Sequence, residues 1–250
     1  MLLKTWIAPN FGDAANTELV KLITGYTPQV IQADCILDNI NYLIIGSTLK
    51  FGDNNSIVWG AGFQTKEDKF QDFKPVIKSV RGPKTRDRLL ELGFECPEVY
   101  GDPVLLFPRY YKPVVEKKYI LGIVIHHKDE ELDVVKNMVL PEGVIKIRHD
   151  MGTYEFIDTI CSCENIASSS LHGIIVADAY GIPAIQIKFN DSNIDNFKFE
   201  DYYMSVSRPM VEPLLIETIV LESILSSFYE YKINIDLDKL FEACPFSPFR

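Results

Sequence analysis

The chain has 250 residues, 47% of them apolar and 24% charged, with a formal net charge of −10. This balance is typical of a globular protein with a sizeable core. Such an acidic chain is a poor general binder of nucleic acid, because duplex binding depends on many Lys and Arg contacts to phosphate. The apolar start is too short for a secretion signal, and no apolar run approaches the roughly 20 residues of a membrane span. We expect a cytoplasmic protein, with peripheral contact at the inner membrane surface left open.

Five cysteines lie at positions 35, 96, 161, 163 and 244. An odd number without a secretion signal indicates reduced thiols, and Cys161 and Cys163 lack the two-residue spacer of zinc and redox motifs. We therefore assign all five to packing, and we expect neither a metal site nor a cofactor.

Short apolar runs alternate with helical patterns along the chain. Most of the runs are continuously apolar, which is typical of parallel strands covered on both faces. Strands that alternate with helices predict a doubly wound α/β sheet. The predicted strands are residues 3–8, 42–46, 57–59, 76–80, 119–125, 144–147, 166–168 and 184–187. The predicted helices are residues 13–24, 83–92, 130–138, 154–161, 171–180 and 212–231.

The best candidate for a domain boundary lies between Pro108 and Pro113, where two prolines bracket a polar and aromatic stretch. A new series of strands and helices begins at Tyr119. We therefore predict two Rossmann-like domains, residues 1–112 and 113–210. Residues 211–250 are predicted to form a C-terminal helical segment that braces the pair, with one long helix over residues 212–231.

Small and polar residues follow nearly every predicted strand. Open α/β sheets bind ligands beyond the carboxyl ends of their strands, so a site is expected at this edge. Glycines and serines there are also ordinary turn and helix-cap residues. Four histidines at one edge are harder to explain as turns and favour a functional edge. They are His126, His127, His149 and His172.

Several stretches at this edge resemble the polysaccharide pyruvyl transferase family. They are NFGDAAN at 10–16, WGAGF at 59–63, SVRGPKTR at 79–86, YGDPVLL at 100–106, and SSSLHG at 168–173 with ADAYGIP at 177–183. A further stretch, FKFEDYY at 197–203 and on to Arg208, resembles the members that act in capsule and exopolysaccharide pathways. Many relatives have arginine where this chain has Ser170.

The resemblance implies a fold similar to GT-B glycosyltransferases, with the active-site cleft between two Rossmann-like domains. It also implies phosphoenolpyruvate as the donor and a hexose as the acceptor, often within a lipid-linked glycan. The product is a pyruvate ketal made during bacterial surface-polysaccharide synthesis. Two alternatives stay open, namely a GT-B-type glycosyltransferase that uses a sugar nucleotide and a non-catalytic partner in glycan assembly.

Ketal formation requires a proton for the methylene carbon of phosphoenolpyruvate and a base for the attacking sugar hydroxyl. Histidine suits these transfers because its pKa lies near neutral. We predict His172 as the general acid, with ordering of its loop as the alternative. His126 is predicted as a second proton carrier or an acceptor contact, with a satisfied buried histidine as the alternative.

Arg81 is the predicted cation for the donor, since a guanidinium matches carboxylate and phosphate oxygens. It stands at a helix start, where the helix dipole disfavours a cation, so an anionic ligand is expected beside it. Gly12, Gly60 and Gly62 let backbone N–H groups approach the same anion. Ser169, Ser170, Lys198 and Arg208 are further predicted donor-binding residues, and Asp13 and Asp102 are predicted to bind the acceptor. Surface charge is the alternative for Lys198 and Arg208, and loop ordering is the alternative for Asp13 and Asp102.

Overall fold

The computed structural model describes residues 1–8, 10–70, 73–190 and 192–246. Its strands are β1 (Leu2–Thr5), β2 (Gln29–Gln32), β3 (Asn41–Leu43), β4 (Ser56–Trp59), β5 (Val76–Ser79), β6 (Tyr119–Val124), β7 (Val144–Ile147), β8 (Cys163–Ser168), β9 (Ala184–Phe189) and β10 (Leu214–Ile216). Its helices are α1 (Phe11–Thr24), α2 (Pro83–Glu91), α3 (Asp133–Lys136), α4 (Thr153–Cys161), α5 (Leu171–Ala179), α6 (Phe197–Ser205), α7 (Leu221–Leu225) and α8 (Leu237–Glu242). Short 3-10 helices lie at Leu49–Phe51, Pro103–Arg109 and His127–Asp129.

The strands form two parallel sheets with five strands each, in the orders β2-β1-β3-β4-β5 and β10-β9-β8-β6-β7. The two sheets have the same topology when the second is read from its opposite edge, as β7-β6-β8-β9-β10. In each sheet the strand that comes first in the chain lies between the second and the third. Parallel neighbours need crossover connections, which place helices on the faces of the sheet. The predicted α/β class, with two parallel-sheet units, is confirmed.

Local sequence sets the ends of α1. The side chain of Asn10 accepts a hydrogen bond from the backbone of Gly12, which satisfies one of the free N–H groups at the helix start. Gly25 ends the helix with φ of +78°, a left-handed conformation that favours glycine. Phe11 and Leu19 lie on the buried face between these ends. The cap therefore fixes where the loop after β1 turns into the helix.

One apolar cluster joins the two sheets. It contains the buried faces of α1, α4 and α5 together with residues of the 3-10 helix Pro103–Arg109. Val104 and Phe107 of that helix are completely buried, whereas Arg109 and most residues from Lys112 to Lys118 in the connection are exposed. Large apolar interfaces resist relative domain motion. The cluster therefore holds the two sheets in a fixed arrangement, and the domain boundaries themselves stay a prediction.

The prediction of one long helix over residues 212–231 is wrong. The chain there forms β10, which pairs with β9 at the edge of the second sheet, and then the five-residue helix α7. Three apolar residues in a row fit a strand as well as a helix, and pairing with β9 decides between them. The second sheet thus extends beyond residue 210. The predicted helix over 130–138 is also shorter, and β2, α6 and α8 were not predicted.

Among the described residues, no helix combines the length and the apolar character needed to span a membrane.

Candidate functional site

A cavity of about 520 Å³ opens at the carboxyl ends of strands from both sheets. In each sheet the chain adds its second strand on one side of the first strand and all later strands on the other side. The order therefore switches between β1 and β3 in the first sheet and between β6 and β8 in the second. Crevices at such points are where open α/β sheets bind ligands. The cavity therefore lies where the topology of both sheets predicts a site.

The lining of the cavity divides into two walls. The first wall, from the first sheet and its loops, consists of Trp6, Ile7, Ala8, Asn10, Gly12, Asp13, Gln32, Gly46, Ser47, Thr48, Lys50, Phe51 and Gln64. The second wall, from the second sheet and its loops, consists of His126, His127, Lys128, His149, Ser170, Leu171, His172 and Lys198. The prediction that the four histidines meet at one edge is confirmed. The first wall is largely neutral, whereas the second is rich in basic side chains.

His172 lies in the first turn of α5 and packs against Gly12 of α1. A methyl group on the Cα of Gly12 would lie 2.3 Å from Cε1 of the His172 ring, so only glycine leaves room for the ring. The predicted contact of Gly12 with an anion stays a prediction, since Gly12 also lines the cavity. The observed role of this glycine is to let a histidine of the second half lie directly on a helix of the first.

Asp102 lies behind His172 instead of lining the cavity. It is completely buried, and one carboxylate oxygen accepts a hydrogen bond from the backbone N–H of Val104 at 3.0 Å. The other oxygen, Oδ2, lies 3.8 Å from His172 Nε2. Neither of these two atoms has a hydrogen-bond partner among the described residues. Asp102 does not line the cavity, so the predicted contact with an acceptor sugar is wrong. Its carboxylate is a close neighbour of the His172 ring and makes no hydrogen bond to it.

Asp13 is the acidic side chain of the first wall. Its carboxylate accepts hydrogen bonds from Thr5 Oγ1 at 2.9 Å and Asn10 Nδ2 at 3.2 Å. Burial raises the pKa of Asp13, and these hydrogen bonds and the nearby His172 partly offset that effect. A carboxyl group with a raised pKa, held by neutral partners, is suited to contact sugar hydroxyls or to exchange a proton.

His126 and Lys198 meet in the second wall, with His126 Nε2 3.2 Å from Lys198 Nζ. The backbone N–H of Lys128 donates to His126 Nδ1, and the backbone N–H of His126 donates to the hydroxyl of Ser169. Ser169 thus supports His126 from behind and lies outside the lining. Burial lowers the pKa of His126 well below its ordinary value. Burial, followed by the nearby charge of Arg81, lowers the pKa of Lys198 to about 7.

The other two histidines complete the second wall. His127 stacks on His126 with the ring centroids 4.3 Å apart, and His149 Nδ1 lies 3.5 Å from Glu130 Oε1. Burial, followed by the charge of His149, lowers the pKa of His127. The carbonyl of His149 accepts a hydrogen bond from the backbone of Phe11, which ties this loop to the start of α1. Across the described ranges, no group of three His, Cys, Asp or Glu side chains is placed to bind a metal.

Two long helices begin at the cavity, α1 with Asn10 and α5 with Ser170 as the N-cap. At α1 the first N–H groups are taken up by Asn10 and by the carbonyl of His149. At α5 the hydroxyl of Ser170 makes no capping hydrogen bond to the described part of the chain. Unsatisfied N–H groups and the helix dipole both favour an anion at such a position. Ser170 and the start of α5 therefore agree with the predicted donor site.

The structure corrects our prediction that an anionic ligand lies beside Arg81. The side chain is completely buried and lies outside the cavity lining. Its Nε donates to Asp201 Oδ2 at 3.0 Å, and its other nitrogens donate to Ser47 Oγ and the carbonyl of Phe63. Asp201 also accepts hydrogen bonds from the backbone and hydroxyl of Thr85 in the first turn of α2. The anion at this helix start is thus a carboxylate from α6, and Arg81 packs the two helices together.

Three further residues predicted to bind the donor have structural roles. Gly60 lies against Pro103, and Gly62 lies against the guanidinium of Arg81, where an added methyl group would approach to 2.6 Å. Arg208 is buried and makes two hydrogen bonds to Asp178, at 2.7 and 2.9 Å. All three lie outside the cavity lining. The close contacts at the two glycines and the charge of Arg208 therefore stabilise the packing of the protein itself.

Trp6, Gln32 and Lys128 also line the cavity and were not among the predicted site residues. The rings of Trp6 and Phe51 meet edge to face, 5.1 Å apart and at 85°. The side chain of Gln32 accepts a hydrogen bond from the backbone of Ile7. Trp6 lies inside the predicted strand 3–8, whereas β1 ends at Thr5, so the rule that found the histidines points to Trp6 only once the true end of this strand is known. Gln32 carried no such signal because β2 was not predicted.

Comparison with known proteins gives one family. A profile of the polysaccharide pyruvyl transferase family matches residues 10–188. An uncharacterised protein of Acanthamoeba polyphaga mimivirus is 26% identical over 204 residues, which cover 77% of this chain and 69% of that protein. A crystal structure of an uncharacterised protein from Klebsiella pneumoniae matches with a TM-score of 0.45 and 16% identity, over 81% of this chain and 86% of that one. The profile spans the cavity residues from Asn10 to His172, and Trp6 and Lys198 lie outside it.

Proposed function

The chain belongs to the polysaccharide pyruvyl transferase family, and on this premise we propose that it transfers pyruvate from phosphoenolpyruvate to a pair of hexose hydroxyls. The product is a cyclic pyruvate ketal. The observation that carries the proposal is the division of one cavity into a basic wall and a neutral, aromatic wall. A reaction between a small trianionic donor and an uncharged sugar needs these two environments side by side.

The second wall suits the donor. Phosphoenolpyruvate carries a phosphate and a carboxylate, and both are matched by the open start of α5 and by the cations nearby. Ser170 and Lys128 lie in this wall together with the four histidines. Many relatives have arginine in place of Ser170, so Lys128 and the helix start take over part of its role in this proposal.

The first wall suits the acceptor. Trp6 and Phe51 offer an aromatic surface, and the partly positive C–H groups of a pyranose ring pack well on the electron-rich face of an aromatic ring. Gln32, Gln64 and Asp13 surround this surface with hydrogen-bonding groups. An apolar platform with a few polar groups around it is the usual composition of a small-molecule site that orients its ligand.

The reaction needs one proton delivered and two removed. His172 gives a proton to the methylene carbon of phosphoenolpyruvate, which becomes a methyl group, and positive charge develops at C2. One sugar hydroxyl bonds to C2 and loses its proton, and the bond from C2 to the phosphate oxygen then breaks. The second hydroxyl closes the ring and loses its proton. One of the two protons replaces that of His172, and the other leaves with phosphate.

Asp102 and Asp13 support His172 in this role. The carboxylate of Asp102 lies 3.8 Å from Nε2, and the negative charge of Asp13 acts on the same ring. Both carboxyl groups are therefore placed to orient the ring while it transfers a proton. Gly12 lets the ring reach the cavity between them.

The setting that we propose is surface-polysaccharide synthesis in the cytoplasm, with a lipid-linked glycan as the acceptor. The site is GT-B-like in this proposal, with donor and acceptor bound from opposite sides of the cleft between the sheets. A lipid-linked acceptor would bring the protein to the inner membrane surface without a membrane span.

The test is to incubate the protein with phosphoenolpyruvate and a panel of synthetic or lipid-linked galactosides, glucosides and mannosamine derivatives. We expect one glycan to gain a pyruvate ketal by mass, with one phosphate released for each ketal. A parallel series with sugar nucleotides is the control. Glycosyl transfer in that series would favour a glycosyltransferase instead, and binding of phosphoenolpyruvate without turnover would favour a non-catalytic partner.

A further inference from the structure

We propose that Lys198 is the general base of the reaction, present in the free protein as an uncharged amine that accepts a proton from the attacking sugar hydroxyl. The inference rests on the proposed function and adds to it the missing proton acceptor. It also changes the role of Lys198, which we first predicted to bind the donor.

The hydrogen bonds of His126 define the state of Lys198. The backbone N–H of Lys128 donates to His126 Nδ1 at 3.1 Å, so this nitrogen carries no proton. A neutral imidazole has one N–H, which must then be on Nε2. That N–H faces Lys198 Nζ at 3.2 Å. An ammonium has only N–H groups to offer, whereas an amine has a lone pair, and only the amine can accept this hydrogen bond.

The surroundings of Lys198 favour the same state. Its side chain is only 5% exposed, and burial disfavours the charged form of an amine. The cations Arg81 and Lys128 act against its charge, whereas Asp129 and Asp195 act in its favour, and burial is the largest effect. Arg81 is already paired with Asp201 at 3.0 Å, so that carboxylate is taken.

Lys198 differs from the other buried cations of this region. Arg81 and Arg208 each have a buried carboxylate within hydrogen-bond distance. Lys198 instead faces a histidine nitrogen, and it also lines the cavity. A buried amine without such a pair, open to substrate, is how a lysine becomes a base near neutral pH.

An acid and a base then stand in the same wall. Asp102 lies 3.8 Å from His172, the proposed proton donor, whereas burial and nearby cations favour the uncharged amine of Lys198, the proposed proton acceptor. Opposite environments of this kind separate the roles of two titratable groups. Lys198 takes the hydroxyl proton as the oxygen bonds to C2, and the new ammonium then passes that proton to the departing phosphate. Each proton lost by the sugar is therefore accounted for.

The charge state is tested by NMR on protein labelled with carbon-13 at the lysine Cε position. Lys198→Arg assigns the signal of Lys198, and the exposed Lys66 serves as the internal control. We expect the Lys198 signal to titrate near pH 7, well below the range of an ordinary lysine side chain. A Lys198 signal that titrates with the exposed lysines would overturn the inference.

The catalytic role is tested with Lys198→Ala, and Lys66→Arg is the matched control. We expect turnover to fall by a hundredfold or more in the first variant, as is usual when a base is removed, with phosphoenolpyruvate binding retained. Added methylamine should restore part of the rate, and amines of higher basicity should restore more. Loss of phosphoenolpyruvate binding with no rescue would make Lys198 a donor cation and overturn the inference. If the wild type forms the ketal and Lys198→Ala does so equally well, the inference fails while the proposed function stands. A wild type that forms no ketal would overturn both.

Discussion

The two sheets have the same strand order but carry different chemistry on equivalent loops. In the loop after its first strand, one sheet has Trp6 and Ile7, and the other has His126 and His127 in the corresponding loop. The first pair lines a neutral, aromatic wall, and the second lines a basic one. Strand order thus decides where a site forms, and the loop residues decide what it binds. The predictions below test whether the two walls have separate roles.

The largest effect is expected for the proton donor of the second wall. In His172→Gln, hydrogen bonding is kept and proton delivery is lost, so turnover should fall by about a hundred- to ten-thousandfold. Phosphoenolpyruvate binding, measured by calorimetry, and the circular dichroism spectrum should be unchanged. A fully active Gln variant would move the acid role to another group of the cavity, with Asp13 as the first candidate because burial raises its pKa.

Arg81→Ala should lower the stability of the protein and should have no direct effect on either wall of the cavity. The change leaves Asp201 buried without its cation, which typically costs about 3–5 kcal/mol of unfolding free energy. Urea denaturation measures the loss, and Arg148→Ala, at an exposed ion pair, is the control with little expected change. A stable Arg81→Ala protein that had lost only phosphoenolpyruvate binding would restore Arg81 as a donor-binding residue.

Asp102→Asn tests whether the carboxylate of Asp102, a residue of the first half, assists catalysis by His172. The amide oxygen can still accept from Val104, but the charge beside Nε2 is gone. We expect kcat to fall by about ten- to hundredfold, less than the loss seen on replacing a carboxylate that is hydrogen-bonded to its catalytic histidine. The KM values for both substrates should stay the same, because Asp102 does not line the cavity. A raised KM for the sugar with an unchanged kcat would instead support direct contact with the acceptor.

The smallest effect is expected for the aromatic surface of the first wall. Trp6→Ala should raise the KM for the acceptor by up to about tenfold, since aromatic contacts contribute roughly 0.5–1.5 kcal/mol. The KM for phosphoenolpyruvate should not change, because that substrate is assigned to the other wall. Tyr26→Ala, which removes an exposed aromatic ring outside the cavity, is the matched control. Equal changes in both KM values would show that the walls do not act separately.

Sequence patterns predicted the centre of the fold better than its edges. The central strands are continuous apolar runs, so their positions could be read from composition. The strands that the sequence did not reveal, β2 and β10, lie at the outer edges of their sheets and are short. Residues 29–32 are only half apolar, and pairing with β1 makes them a strand. Such pairing depends on a distant part of the chain, which local patterns do not contain.

The site was predictable in its position and less so in its partners. The rule that ligands bind beyond strand ends placed the four histidines correctly. The same reasoning placed an anionic ligand beside Arg81, where the structure has Asp201, 120 residues further along the chain. It also treated Lys198 and His126 separately, although their nitrogen atoms are 3.2 Å apart. Which charges neutralise each other is settled by tertiary contacts between distant residues.

The contact of α8 with the first sheet has a consequence for biosynthesis. Trp59 Nε1 donates to the carbonyl of Leu240 at 2.8 Å, and the ring of Phe246 packs against Tyr42 with centroids 4.8 Å apart. Residues 237–246 leave the ribosome only after both sheets have been translated. The first half, although made first, therefore exposes the surface that these residues cover until they too have been made. Domains usually fold in order of synthesis, but here the packing of the half that emerges first is completed only by residues made after the second half.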